Sequence, residues 1–162
     1  MFGRQKSAVA VIVKAGFEEA RLRGDRRLGT EHLLLGLLHH EESAHTMGVD
    51  LAAARTALDE LDRAALRLLG LEVGELPETP RKHPAVPSTA LTSSARAVLN
   101  ESIKATTAKT RNAQMPRHLA LNLLERRRPD PVAQLIDQLG LDRATVRDRF
   151  AERNWIERGA GR

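Results

Sequence analysis

The chain has no cysteine and no tyrosine, and its aromatic residues are three Phe and one Trp in 162. Without cysteine there is no disulfide, no thiol nucleophile and no zinc site of the Cys type, which agrees with a reducing compartment. Four aromatics, Phe2, Phe17, Phe150 and Trp155, are too few to build the stacking platforms on which single-stranded nucleic acid is held. No apolar run reaches the length of about 18 residues that a membrane span needs. The first residues, Met1 to Lys6, lead into a short apolar stretch interrupted by Lys14, Glu18 and Glu19, which does not read as a secretory leader. The expected location is therefore cytoplasmic, and the expected form one compact domain.

What is present is said nearly twice. His32-Leu33-Leu34-Leu35-Gly36-Leu37-Leu38 recurs as His118-Leu119-Ala120-Leu121-Asn122-Leu123-Leu124, and Met47-Gly48-Val49-Asp50 with Arg55 recurs as Leu139-Gly140-Leu141-Asp142 with Arg147. Each copy is too short and one-sided to bury its apolar face alone, so two copies are expected to stack around a shared core. Charge divides unevenly between them. Residues 1–79 carry 10 Lys and Arg against 13 Asp and Glu, whereas residues 80–162 carry 16 against 8. A basic second half rewards nucleic acid, acidic protein surfaces or phosphorylated groups.

The periodicity predicts an all-α fold. A first helix over 8–24 would turn Ala8, Val11, Ile12, Ala15 and Leu22 inward and Glu18, Glu19, Arg21 and Arg23 mostly outward. Thr30 offers a cap to a second helix from Glu31 to about His40, and Asp50 caps a long one to about Leu69 with Leu51, Ala54, Leu58, Leu61, Ala65 and Leu68 on one stripe. Pro77, Pro80, Pro84 and Pro87 make residues 71–90 a linker without regular helix. The second copy then reads as a helix from the Thr92-Ser93-Ser94 cap through about Lys109, with Ala95, Val98, Leu99 and Ile103 inward. Three more follow: one opened by Pro116 and closed by Arg126-Arg127-Arg128, one from Pro131 to Leu139, and one from Asp142 to about Arg153.

Gly29-Thr30-Glu31-His32-Leu33-Leu34-Leu35-Gly36-Leu37-Leu38, preceded by Glu18-Glu19-Ala20-Arg21, resembles the N-terminal domain of the Clp unfoldases, closest to the ClpC type of actinobacteria. The resemblance covers about residues 1–153. It implies two pseudo-symmetric four-helix Clp repeats, at about 1–70 and 91–153, ahead of a tail at 154–162. It also implies a module that recruits substrates and docks adaptors. No G-x-x-x-x-G-K-[ST] string is present, so the chain reads as a free-standing domain of this type without AAA+ modules. Between His32 and Gly48 there are five fewer residues than the family usually has, which predicts a third helix of repeat one that is shortened or lost.

The resemblance also implies sites. In ClpC-type domains each repeat is thought to bind phosphoarginine, a Glu engaging the guanidinium and a Thr near the start of the repeat's first helix helping with the phosphate. In repeat one this maps onto Glu31 with Thr30, with Lys6 at the Thr position and Ser7 beside it. In repeat two it maps onto Thr92, with Arg117 where the carboxylate should stand, so that this degenerate site should reject arginine derivatives. A groove that takes cyclic peptide antibiotics in the family corresponds to Phe2, Leu91 and Arg96.

Simpler roles account for the same residues: a helix-terminal charge for Glu31, a cap for Thr30 or Thr92, a core plug for Phe2, and buried, hydrogen-bonded core positions for His32 and His118. His39, His40 and His83 read as surface residues. No metal-ligand set, cofactor motif or nucleophile framework is evident, and a non-enzymatic protein- or peptide-binding module is the expected function. Its expected partners are a ClpC-type unfoldase or its substrates. Two alternatives stand beside it: a basic nucleic-acid-binding helix over 141–150 with Arg126 to Arg128 on phosphates, and sequestration of cyclic peptides.

Overall fold

The computed structural model describes residues 7–72 and 83–153. Within them the chain is all-helical, in the order α1 (Ala8–Arg23), α2 (Thr30–Leu38), α3 (Glu41–Met47), α4 (Leu51–Leu68), α5 (Ser93–Lys104), α6 (Arg111–Leu124), α7 (Pro131–Gln138) and α8 (Arg143–Arg153). The one element of β character among the described residues is a single parallel bridge, Leu28 to Leu91.

The two halves are related by a pseudo-twofold exchange. The helix pairs that pack closely map onto one another when α1–α4 are swapped with α5–α8. Thus α1 on α2 matches α5 on α6, α1 on α6 matches α2 on α5, α4 on α7 matches α3 on α8, and α2 on α7 matches α3 on α6. Packing of α2 against α6 is its own counterpart and lies at the centre. One core results, running from Ile12 in α1 to Phe150 in α8.

The helices begin and end for local reasons that repeat in both halves. Ser7 and Thr92 cap α1 and α5, their side chains accepting from the N–H of Ala10 and Ala95. Asp50 accepts from the N–H of Ala53 at 2.7 Å and Asp142 from that of Ala144 at 3.2 Å, at the starts of α4 and α8. Ahead of these, Gly48 and Gly140 turn the chain with φ of 76° and 67°, a left-handed conformation that glycine takes without a Cβ penalty.

The α2 helix is apolar almost all round, and from His32 to Leu38 every residue is buried, as expected of a helix packed on all sides. It crosses α1 antiparallel and very closely. A Cβ on Gly36 would overlap the Ile12 carbonyl oxygen, and one on Gly16 would lie 3.0 Å from that of His32. At the matching point of repeat two a side-chain bond replaces the glycines, Asn122 Nδ2 donating to Ser102 Oγ at 2.8 Å.

The third helix of repeat one is shortened and not lost, with seven residues against eight in α7; most of the missing length lies in the connection, which is His39-His40 between α2 and α3 but residues 125–130 between α6 and α7. Other expectations are corrected. Thr30 does not cap α2; it is already helical and Gly29 is the cap residue. Pro116 does not open α6, which starts five residues earlier at Arg111. There Thr107 and Thr110 exchange backbone and side-chain bonds that set the turn, and Pro116 costs the helix one early hydrogen bond rather than ending it. The α5 helix stops at Lys104, not Lys109.

On α1, Val11 and Leu22 are exposed while Glu19 is buried among Ile12, Gly16 and Ala20. The inward stripe is thus rotated from the one expected. Ile103 in α5 is exposed as well. Along α4 the expected stripe is buried only at its first half, and Leu68 projects into solvent at 89 % exposure. No helix among the described residues is long and apolar enough to cross a membrane.

Candidate functional site

The antiparallel α1–α2 pair decides which predicted site residues can meet. Asp25, just past the end of α1, pairs with His32 at the start of α2, whereas Gly36 late in α2 lies against Ile12 and Gly16. Ser7, at the start of α1, therefore sits at the far end of the pair from Glu31. Sequence reading grouped Ser7 and Lys6 with Glu31, and Thr92 with Arg117. The fold recombines them. Leu28 donates to the Ala90 carbonyl at 2.8 Å and its own carbonyl accepts from the Thr92 N–H at 2.9 Å, which brings the start of α5 beside the start of α2 and so beside Glu31. At the other end, the Ala8 N–H donates to Asn112 Oδ1 at 2.6 Å, which brings the start of α1 beside Pro116 and Arg117. Each site draws helix starts from both repeats. Ser7 plays at α1 the capping part that Thr92 plays at α5. Lys6 and Phe2 lie outside the described residues.

The first site is acidic. Glu31 folds its carboxylate back over Gly29. Its side chain is 18 % exposed, and Oε2 is buried with no hydrogen-bond partner. His32 does not supply one. The His32 Nδ1 accepts from the Gly29 N–H at 2.9 Å, so the ring proton is on Nε2, which faces Asp25 Oδ2 at 2.7 Å. Burial pushes the Glu31 carboxyl above the usual carboxylate range; the nearby His32 imidazole and its own backbone N–H oppose this, and Asp25 and Asp130 add to it. Thr30, 1 % exposed, donates its hydroxyl to Asp130 Oδ1 and accepts from the Val132 N–H at 3.3 Å. It thereby ties the start of α2 to the start of α7. A buried carboxylate with one oxygen lacking a donor, flanked by two more carboxylates, favours a cation carrying several N–H groups.

At the second site the charges are inverted. A cleft of about 280 Å³ opens between the starts of α1 and α6, α3 and the end of α8. Its lining includes His40, Glu42, Asn112, Pro116, Arg117 and Phe150. By the pseudo-twofold, Arg117 stands where Glu31 stands, Pro116 where Thr30 does, and His40, the α3 cap, where the α7 cap Asp130 does. The Arg117 Nε donates to the Phe150 carbonyl at 3.2 Å, near the end of α8. His118 is half-buried, unlike His32. Burial and the adjacent Arg117 hold its imidazole below the usual range.

Other residues singled out from sequence fall outside these two sites. Leu91 is half-buried beside the bridge, and Arg96 is exposed with one guanidinium nitrogen 3.5 Å from the Thr89 carbonyl. In the basic half, Arg128 and Arg143 both bind Asp137, whose carboxyl they hold below the usual range, and Arg126 lies 4.0 Å from Glu101. Part of the positive charge over 126–143 is thereby balanced within the protein. His40 is half-buried, and His39 is exposed but bonded to Glu19. No group of three or more His, Asp or Glu that could hold a metal ion occurs among the described residues.

Sequence reading missed Asp130, Asp25 and Asn112, each of which reaches its site from another segment of the chain. Asp130 precedes Pro131, a cap signal in itself, but nothing in its own neighbourhood points to Thr30. No protein-family model matches the chain.

Proposed function

We propose that this chain is a non-enzymatic module that binds proteins or peptides, of the kind found at the N-terminus of Clp unfoldases, and that it recruits or sequesters substrates or modulates a ClpC-type unfoldase. The Glu31 site takes the arginine-phosphate group of such a substrate. The observation that carries this reading is the Glu31 carboxylate, whose Oε2 is buried without a donor. A guanidinium supplies parallel N–H groups that match a carboxylate, and in a partly desolvated site such a pair gains more than it does in water.

The phosphate end would be met by the start of α5. The first-turn amides of Ser93 and Ser94 have no intrahelical acceptor, and the positive end of the helix dipole favours an anion. Thr92 spends its oxygen as an acceptor for the Ala95 N–H, leaving its hydroxyl proton to donate. Recruitment of this kind needs no catalytic group; affinity for a marked side chain is enough.

Calorimetric titration with phosphoarginine, and with unmodified arginine for comparison, tests the proposal. One-site binding of phosphoarginine is expected, lost in Glu31→Ala, weakened in Thr92→Ala and nearly intact in Arg117→Ala. Equal loss in Glu31→Ala and Arg117→Ala would defeat the assignment of Glu31. No binding to the unmutated chain would defeat the arginine-phosphate reading and leave protein docking to be sought by pull-down with a ClpC-type unfoldase.

A further inference from the structure

We infer that the cleft at Arg117 is a second binding site, and that it takes a carboxylate on an apolar stem, such as the C-terminal end of a peptide. This does not rest on the arginine-phosphate reading, because the two sites share no side chain.

Three donors line the cleft and each is set by a bond on its other side. Arg117 is held through Nε by the Phe150 carbonyl, which leaves the two Nη groups as a fork without another partner among the described residues. Asn112 accepts the Ala8 N–H on Oδ1, so its amide is oriented and Nδ2 is the atom left to donate. His40 accepts the Ser43 N–H on Nδ1 at 3.3 Å, which puts the ring proton on Nε2. Donors fixed in advance bind an anion without a further ordering cost.

The rest of the lining selects the kind of anion. Pro116 and Phe150 add apolar wall, which suits a hydrocarbon stem. A cleft of about 280 Å³ accommodates a terminal residue rather than a folded partner.

The test is titration of the full chain with acetyl-Ala-Leu as the free acid and as the amide, with inorganic phosphate as competitor. The acid is expected to bind at least about tenfold tighter than the amide. Arg117→Gln should abolish the difference, and Glu31→Gln should leave acid binding unchanged. Because Arg117→Gln also removes the tie to α8, Asn112→Ala serves as a second weakening variant, with melting curves for both. No binding of the acid, equal binding of acid and amide, or displacement by phosphate at lower concentration than the acid would each overturn the proposal. Loss of phosphoarginine binding alone would not.

Discussion

Thr30 and Asp130, one hundred residues apart in sequence, share a hydrogen bond in which the Thr30 hydroxyl donates to the carboxylate. The same hydroxyl oxygen accepts from Val132, so one side chain joins the starts of two helices from different repeats. Replacing Thr30 by Val keeps the shape and removes both bonds. The expected cost is about 1–2 kcal/mol, visible in denaturant unfolding as a lower midpoint with an unchanged slope; an unchanged midpoint would mean that Asp130 alone suffices to cap α7.

The close crossing of α1 and α2 predicts a larger effect from a smaller change. Gly36→Ala adds one methyl group where the Ile12 carbonyl already stands. The helices must separate, and the cost is expected at about 2–3 kcal/mol or more. The matching Asn122→Ala in repeat two removes only the bond to Ser102 and should cost about 1 kcal/mol. A thermal melt of the two variants that put them in the opposite order would contradict this account of the crossing.

Glu31 should trade stability for binding. Its carboxyl is held above the usual range chiefly by burial, so the folded state holds the proton more tightly than the unfolded chain does. Ionisation therefore destabilises the fold, increasingly as pH rises from the unfolded value through the folded one. Glu31→Gln is expected to raise the melting temperature by a few degrees at pH 7, about 1 kcal/mol, and to give little benefit below pH 4. A neutral or lower melting temperature at pH 7 would show that the carboxylate is better solvated than its surroundings indicate.

Glu19 should behave in the opposite sense. Burial pulls its carboxyl upward, but bonds from Arg55 and His39 outweigh this and hold it below the usual range. Its contribution is then present above the unfolded carboxylate value near 4.5 and is lost as pH falls through the folded one. Glu19→Gln should cost about 1–2 kcal/mol at pH 7, because a buried carboxylate loses its charge-assisted bonds to the exposed Arg55 and His39, and the difference from the unmutated protein should shrink steadily on acidification below pH 4.5. A pH-independent difference would indicate that shape rather than charge matters there.

Much of the fold is legible locally. Asp50, Thr92 and Asp142 are caps whose side chains reach amides two or three residues away, and Pro131 opens a helix by the same short-range logic. The duplicated strings at His32 and His118 mark the two central helices. What was not legible depends on partners far off in the chain. Glu19 reads as a surface charge until Arg55, thirty-six residues on, is seen to cover it. Val11 and Leu22 share the helical spacing of Ile12 but miss the neighbour it packs against.

The sites show the same limit. Sequence order groups Ser7 with Glu31 because both belong to repeat one, whereas antiparallel packing of α1 on α2 separates them. Thr92 comes to Glu31 through the Leu28–Leu91 bridge, a contact between two loop positions with no pattern of their own. The charge inversion itself, Glu31 against Arg117, is visible in the aligned strings, but the cleft that gives it chemical meaning is not.

Because each site is assembled from helix starts of both repeats, joining the two copies in a single chain has a consequence that a pair of separate copies would lack. A symmetric dimer of one such half would have two identical clefts, since any substitution in the half would appear in both. Linked in tandem, the halves are released from that identity: one mouth keeps the Glu31 carboxylate while its counterpart carries the Arg117 guanidinium. The linker between the repeats thus permits two equivalent positions to carry opposite charge, which no symmetric pair could do.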